Sequence, residues 1–151
     1  MSAVPAYLSG LRLSGRRVVV VGAGRVAARR LGPLLEAGAL ITVIAPEATG
    51  PIIELATSDA LTWLPRRYAD GDLDGAWYVL VATDDHDCNK RVSVEAERRR
   101  IFCVRSDDRH AATAWTPASG TVGDVQLGVL AGGDHTRSRL LRDQLLQQLI
   151  G

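Results

Sequence analysis

A run of four valines that ends at a glycine-rich turn constrains the fold of this chain most. Val18–Val21 is bounded by Arg17 and Gly22. β-Branched residues favour strands, and an uninterrupted apolar run is typical of a strand covered on both faces. The next segment, Val26–Ala37, has the composition and apolar spacing of a helix that Gly38 would cap. The sequence therefore predicts a central parallel strand, a tight turn and a helix in direct succession.

The alternation of strand and helix continues along the chain. Further predicted strands are Leu40–Ala45, Leu61–Leu64, Trp77–Ala82 and Ile101–Val104, and further predicted helices are Ile52–Ala56 and Asp87–Arg100. Strands that alternate with helices need crossover connections, which produce a parallel sheet covered by helices. We therefore predict a Rossmann-like, doubly wound α/β fold.

The pattern changes after residue 112. Two short strands, Thr113–Thr116 and Val125–Ala131, flank the glycine-rich segment Ser119–Gly123, and Arg137–Ile150 has the pattern of a helix. We predict a short antiparallel extension followed by a C-terminal helix. The predicted domains are a Rossmann-like domain at 1–112 and a strand–helix extension at 113–151, interpreted as the start of a dimerisation region.

The C-terminal helix carries more large apolar residues than one packed face needs. A stripe formed by Leu141, Leu145 and Leu149 is expected to pack on the sheet, whereas Leu146 and Ile150 are expected to point away from it. An uncovered apolar patch usually marks an interface. Self-association through this helix is therefore expected.

The glycine turn has the GxGxxA pattern of a dinucleotide-binding loop. The first glycine of such a loop permits a tight turn, the second lets a pyrophosphate approach the backbone, and the final alanine lets the helix pack near the strand. The helix N-terminus adds N–H groups and a partial positive charge. The residues predicted to hold the pyrophosphate are Gly22, Gly24, Arg25 and Val26.

The loop after the second strand bears on the choice of nucleotide. An acidic residue that binds the adenosine ribose is expected roughly 20 residues after the glycines. The sequence there is Ala45-Pro46-Glu47, in which Glu47 is either this ligand or a plain surface residue. No arginine stands close after Ala45 to bind the 2′-phosphate of NADP. The predicted cofactor is therefore NAD rather than NADP.

Composition excludes several other classes of protein. The chain has 151 residues and a net charge of +1, which indicates neither nucleic acid nor a membrane surface as partner. No apolar run approaches the ~20 residues of a membrane span, and the start lacks the pattern of a secretion signal, so a cytoplasmic location is expected. His86, Cys88 and His110 do not have metal-ligand spacing, so no metal site is predicted.

A set of ordered motifs carries a family resemblance. After the glycine turn come Val81–Asp85, Asn89, and Arg100–Cys103 leading to Asp107. Together they resemble the N-terminal module of siroheme synthases, the precorrin-2 dehydrogenase and sirohydrochlorin ferrochelatase family, from about Tyr7 to Leu149. The resemblance implies NAD-dependent removal of two hydrogens from precorrin-2 to give sirohydrochlorin. Many members also insert Fe²⁺, and the sequence leaves open whether this chain does.

The resemblance also implies roles for individual residues. Pro46 and Glu47 would lie beside the adenosine ribose, and Thr83 and Asp84 would border the nicotinamide. Asp107 would be the acid–base carboxylate, the alternative being a solvated turn residue. Precorrin-2 carries several acetate and propionate arms, which basic side chains could bind through charge-assisted hydrogen bonds. The candidates for that role are Arg105, Arg109, His110, Arg137 and Arg139.

Two departures from the family leave other interpretations open. Relatives often carry Asn and apolar residues before the acid, whereas this chain has Val104-Arg105-Ser106. Relatives also continue beyond the position of Gly151 into a dimerisation region, so the chain is expected to be an isolated fragment or a reduced homologue. The competing hypotheses are a non-catalytic NAD-binding sensor and a fragment whose main property is association. A homodimer is the expected assembly.

Overall fold

The computed structural model describes residues 4–151. The chain consists of two compact units. The larger is Leu11–Ala114, and the smaller combines Trp115–Gly151 with the N-terminal segment up to Gly10. Among the described residues, no helix is both long and apolar enough to cross a membrane.

The larger unit is a five-stranded sheet with helices between its strands. Its elements are β1 (Arg17–Val21), α1 (Arg25–Glu36), β2 (Leu40–Ile44), α2 (Gly50–Thr57), β3 (Thr62–Leu64), β4 (Tyr78–Val81), α3 (His86–Arg98) and β5 (Phe102–Arg105). All neighbouring strands are parallel, in the order β3-β2-β1-β4-β5. This confirms the predicted Rossmann-like class. The strand order reverses between β1 and β4, and ligands of such sheets bind at the carboxyl ends of the strands there.

The valine run explains why β1 is central. Val18 and Val20 belong to the core on one face of the sheet, and Val19 and Val21 belong to the core on the other. None of the four is more than 1% exposed. Successive side chains of a strand point to opposite faces, so an unbroken apolar run suits a strand with helices on both sides. α1 packs on the first face and α3 on the second.

The smaller unit contains a hairpin and a helix, but not at all the predicted positions. Its elements are β6 (Ala118–Val122), β7 (Val125–Val129) and α4 (His135–Ile150), and β6 pairs antiparallel with β7. The predicted segment Ser119–Gly123 is therefore mostly strand rather than a connection. Gly123, with φ +60°, begins the two-residue turn instead. Gly120 suits its place in β6 because Leu146 occupies the space beside it. A Cβ at this position would lie 2.5 Å from Leu146 Cδ1.

The predicted strand Thr113–Thr116 is wrong. Thr113 instead pairs locally with the strand before it: its N–H donates to the carbonyl of Cys103 (3.0 Å), and its Oγ1 accepts the N–H of Cys103 (2.8 Å). A threonine hydroxyl can complete backbone hydrogen bonds without continuing a ladder. The β-branched composition of the segment was therefore misleading.

The predicted packing face of α4 is also wrong. Leu146 packs against β6, whereas Leu145 and Leu149 are 45% and 46% exposed. Ser138, which is buried, fixes the rotation of the helix, because its hydroxyl accepts the N–H of Ala131 (3.0 Å) and donates to the carbonyl of Asp134 (2.8 Å). Ser138 and Leu146 are eight residues apart and lie on one face. The stripe expected to be buried is therefore partly open.

We predict that the two glycines of the turn respond differently to a side chain. Gly22 has φ +110°, and its Cβ would lie 2.5 Å from the carbonyl oxygen of Ala82. Gly22→Ala should lower the free energy of unfolding by at least about 2 kcal/mol. Gly24 has φ −89° and no heavy atom within 4 Å of its Cβ position, so Gly24→Ala should cost less than about 1 kcal/mol. Urea titrations would check this, and equal losses would contradict the assigned geometry.

Candidate functional site

The glycine turn lies between the carboxyl ends of β2 and β4. The N–H of Gly22 donates to the carbonyl of Ile44 (2.9 Å), and its α-carbon faces the Ala82–Thr83 backbone. The N–H of Thr49 donates to the carbonyl of Ala23 (3.0 Å), which ties the loop after β2 to the turn. Three chain segments therefore meet at the point where the strand order reverses.

The N-terminus of α1 is suited to an anion. Gly24 is its N-cap, without a side-chain hydrogen bond, and its first turn contains no acidic residue. By contrast, the side chains of Asp85 and Asp134 cap α3 and α4. The first N–H groups of a helix and its dipole favour negative charge, and Gly24 is exposed with open space at its Cβ position. Arg25 is exposed and Val26 half-buried beside it.

The loop after β2 presents polar groups at the same edge. Pro46 and Glu47 are exposed there. Within residues 4–151, the hydroxyl of Thr49 is a buried oxygen without a hydrogen-bond partner. Buried hydroxyls are normally paired because an unpaired one is costly. The exposed Glu47, the unpaired Thr49 hydroxyl and the open Gly24 together fit a dinucleotide.

Asn89 holds the loop between β4 and α3. The residue is fully buried, and its Nδ2 donates to the carbonyl of Thr83 (3.0 Å) while its Oδ1 accepts the N–H (3.2 Å) and the hydroxyl of Thr83. Asp85 caps the helix by accepting two backbone N–H groups of the first turn, at 3.0 and 3.2 Å. The loop is therefore anchored at both ends, and it leaves Asp84 exposed.

Asp107 follows β5 and is held by three side chains, those of Arg105, His86 and Asn89. Arg105 forms a bidentate interaction with Asp107, in which Nε donates to Oδ1 (3.1 Å) and Nη2 donates to Oδ2 (3.0 Å). His86 Nδ1 lies 2.7 Å from Oδ2. The side chain of Arg105 is only 3% exposed, and that of Asp107 is 21% exposed. A buried guanidinium is stable here because a carboxylate pairs with it.

This arrangement fixes the charge of Asp107. The hydrogen bonds from Arg105 lower its pKa to about 2, with smaller contributions in the same direction from Asn89 and His86 against the effect of burial. The carboxyl group is therefore ionised at neutral pH. A carboxylate of this kind accepts hydrogen bonds strongly but is a weak base.

The structure separates the five predicted ligands of substrate carboxylates. Arg105 is buried, and its guanidinium is bound to Asp107 and, through Nη1, to the hydroxyl of Ser93 (3.3 Å), so it does not present an open surface. Arg109 and His110 are exposed on the larger unit. Arg137 and Arg139 are exposed on α4 of the smaller unit.

Two partners of Asp107 were not predicted from the sequence, namely His86 and Asn89. They lie at the start of α3, after β4, whereas Asp107 follows β5. β4 and β5 are parallel neighbours, so the segments after them lie side by side. The sequence does contain a signal for this contact: polar residues follow both β4 and β5, and the segments after neighbouring parallel strands lie close together. Among residues 4–151, no group of three or more His, Cys, Asp or Glu is placed to hold a metal ion.

The fold and the glycine turn define the class of the protein as a Rossmann-like nucleotide-binding domain. The chain belongs to the family described as putative NAD(P)-binding, whose sequence model matches residues 10–118. The predicted cofactor is thereby confirmed at the level of this family, whose description covers both NAD and NADP.

The chain is also similar to individual proteins within this class. The chain is 36% identical over 135 residues to siroheme synthase 3 of Aeromonas hydrophila, covering 89% of this chain and 29% of that protein. It is 38% identical over 123 residues to the siroheme synthase of Chromobacterium violaceum, covering 82% and 26%. A solved structure of SirC, precorrin-2 dehydrogenase, matches with a TM-score of 0.75 and 29% identity, covering 95% of this chain and 69% of that one.

These matches confirm the resemblance to the siroheme-synthase module that the ordered motifs indicated. The chain spans less than a third of the length of the curated siroheme synthases that it matches.

We predict that Asp107 contributes stability that depends on pH. Its pKa is lowered by folding, so the contribution is complete above the ordinary value of 3.8 and is lost as the pH falls toward 2. Asp107→Asn should therefore reduce the free energy of unfolding by about 1 to 2 kcal/mol at pH 6, and by roughly half as much at pH 3. Urea unfolding at both pH values measures this.

The matched control for that experiment is Asp108→Asn. Asp108 Oδ1 accepts the backbone N–H groups of His110 (3.1 Å) and Ala111 (3.3 Å), and an asparagine oxygen can keep both. The effect of this substitution on the free energy of unfolding should be small, because both hydrogen bonds are kept. If Asp107→Asn lowers the free energy of unfolding by the same amount at pH 6 and at pH 3, that result would contradict the assigned ion pair.

Proposed function

We propose that this chain carries out the NAD-dependent oxidation of precorrin-2 to sirohydrochlorin in siroheme biosynthesis. The observation that carries the proposal is the position and charge of Asp107. This carboxylate is ionised, is bound by Arg105, and follows β5 next to the loop after β4. The glycine turn faces that same loop through Ala82–Thr83. A nucleotide loop and a fixed carboxylate thus flank one strand end. The names of the siroheme synthase and SirC relatives support this reaction.

The dinucleotide would be held by the turn and the two loops beside it. NAD⁺ would supply the hydride acceptor. Backbone N–H groups at the start of α1 would bind its pyrophosphate, and the loop after β2 would bind its ribose. The proposed contacts are Gly22, Gly24, Arg25 and Val26 for the pyrophosphate, Pro46 and Glu47 for the ribose, and Thr83 and Asp84 for the nicotinamide.

Asp107 is the carboxylate on which proton removal depends. Loss of a hydride from precorrin-2 must be matched by loss of a proton, which requires an acceptor fixed near the nicotinamide. The acetate and propionate arms of the tetrapyrrole would pair with exposed basic side chains. On the larger unit those proposed are Arg109 and His110, and the buried Arg105 would hold Asp107 in place. Arg137 and Arg139, on the smaller unit, stay candidates from the sequence.

The assembly we propose is a homodimer formed through α4, within the extension 113–151, in the cytoplasm. Leu145 and Leu149, one helical turn apart, are 45% and 46% exposed, and Ile150 is 66% exposed. Exposed apolar residues grouped in this way usually mark an interface. A second copy of this chain is the proposed partner, because a helix that pairs with its own copy covers the exposed apolar patch of both copies at once.

The reaction is tested by incubating the protein with precorrin-2 and NAD⁺ under anaerobic conditions. NADH and the sirohydrochlorin spectrum should appear together, and Asp107→Asn should slow turnover by about 10²-fold or more without changing NAD affinity. Gly24→Val fills the open space at the N-terminus of α1 and should lose both NAD binding and turnover.

The outcomes of that assay separate the candidate functions. NAD binding without any NADH formation by the wild type would favour the sensor over the enzyme. Wild-type turnover in Asp107→Asn would place proton removal elsewhere. Calorimetry with NADP should show weaker binding than with NAD, because Glu47 would repel a 2′-phosphate. The same mixture supplied with Fe²⁺ tests for chelation of the product.

We predict that Leu145→Glu with Leu149→Glu converts the dimer to monomer. Charged groups would replace the exposed apolar surface without touching Leu146, which packs on β6. Sedimentation at several concentrations measures the change. The matched control is Gln144→Glu with Gln148→Glu, which adds the same charge at exposed positions of α4 and should leave the dimer intact. A double leucine variant that sediments as the wild type does would contradict the interface.

A further inference from the structure

His86 is placed against the carboxylate of the proposed site, yet the proposed reaction has given it no role. It is the first residue of α3, and its side chain is 66% exposed. Its Nδ1 lies 2.7 Å from Oδ2 of Asp107. Arg105 binds both oxygens of the same carboxylate from the buried side. Asp107 thus bridges a buried cation and an exposed imidazole.

This contact determines which ring nitrogen of His86 carries the proton. Asp107 is ionised, since its pKa is lowered to about 2, and an ionised carboxylate can only accept hydrogen bonds. Nδ1 must therefore be the donor, and in the neutral ring Nε2 keeps its lone pair. The side chain of His86 is 66% exposed, so its ring is open to solvent. The neutral ring therefore offers an available acceptor at Nε2.

Asp107 is poorly suited to take up a proton. A carboxylate that is bound by an arginine on both oxygens gains little from taking up a proton, because doing so breaks that ion pair. General bases work best when their pKa is near the working pH, and histidine is the side chain whose ordinary pKa lies there. The geometry that makes Asp107 a firm anchor thus makes it a poor proton acceptor.

We propose that His86 Nε2 is the catalytic proton acceptor of the oxidation and that Asp107, held by Arg105, is its positioning residue. This inference rests on the proposed function. One C–H bond of the substrate breaks with its electron pair and delivers a hydride to NAD⁺. A second hydrogen leaves as a proton to Nε2, and the electron pair of its bond becomes the new double bond of the macrocycle. The imidazolium then releases that proton to water.

The first test does not depend on turnover. The chain contains three histidines, so ¹⁵N NMR of the free protein can be assigned with His86→Ala, His110→Ala and His135→Ala. His86 should be in the Nδ1–H form in the wild type and should shift toward the Nε2–H form in Asp107→Ala. A wild-type His86 that is mainly Nε2–H would overturn the proposal.

The second test is kinetic. His86→Ala should lower kcat for NADH formation by about 10²-fold or more, with NAD affinity unchanged by calorimetry. Free imidazole should restore part of that turnover, which would not happen if His86 were only structural. His135→Ala, an exposed histidine of the smaller unit, is the matched control and should turn over at the wild-type rate.

The outcomes distinguish the inference from the function on which it rests. Normal kcat in His86→Ala, beside an active wild type, would overturn the role of His86 and leave the oxidation standing. A wild type that binds NAD but forms no NADH would overturn the proposed oxidation and the role of His86 with it. Slow turnover in His86→Ala that imidazole does not restore would also count against proton transfer.

Discussion

The close approach of Gly22 to the Ala82–Thr83 backbone is the constraint on which the rest of the site depends. A Cβ at Gly22 would lie 2.5 Å from the carbonyl oxygen of Ala82, and the residue has φ +110°. Only glycine meets both conditions without strain. The chain can therefore leave β1, turn against the end of β4 and enter α1 at once. The helix N-terminus, the loop after β4 and the strand-order reversal come together because this turn is tight.

A second constraint is the burial of Arg105. A guanidinium 3% exposed needs a paired anion, and Asp107 supplies it. The pair sets where Asp107 points, how strongly it is ionised and which nitrogen of His86 is protonated. Asn89, also fully buried, ties the neighbouring loop to Thr83. The exposed groups of the site are thus supported by buried hydrogen bonds as well as by packing.

The sequence predicted most of the larger unit because its signals are local. The valine run, the GxGxxA turn and the alternation of strand and helix depend on residues close in the chain, and the strands of the sheet agree with them. The hairpin was misplaced because a glycine within a strand resembles a turn until its packing partner, Leu146, is known. The contact between His86 and Asp107 joins the start of α3 to the segment after β5, so no local pattern could indicate it. The proposed nucleotide contacts remain predictions.

Arg105 gives a physical reason why orientation and proton transfer fall to different residues at this site. Orientation and basicity compete, because each hydrogen bond that fixes a carboxylate also stabilises its ionised form. Because Arg105 donates to both oxygens of Asp107, the carboxylate is well oriented but weakly basic. A carboxylate in this state can still act through a neighbour that it orients and whose positive charge it stabilises, which is the division of labour between aspartate and histidine in hydrolytic triads. His86 is the neighbour so placed.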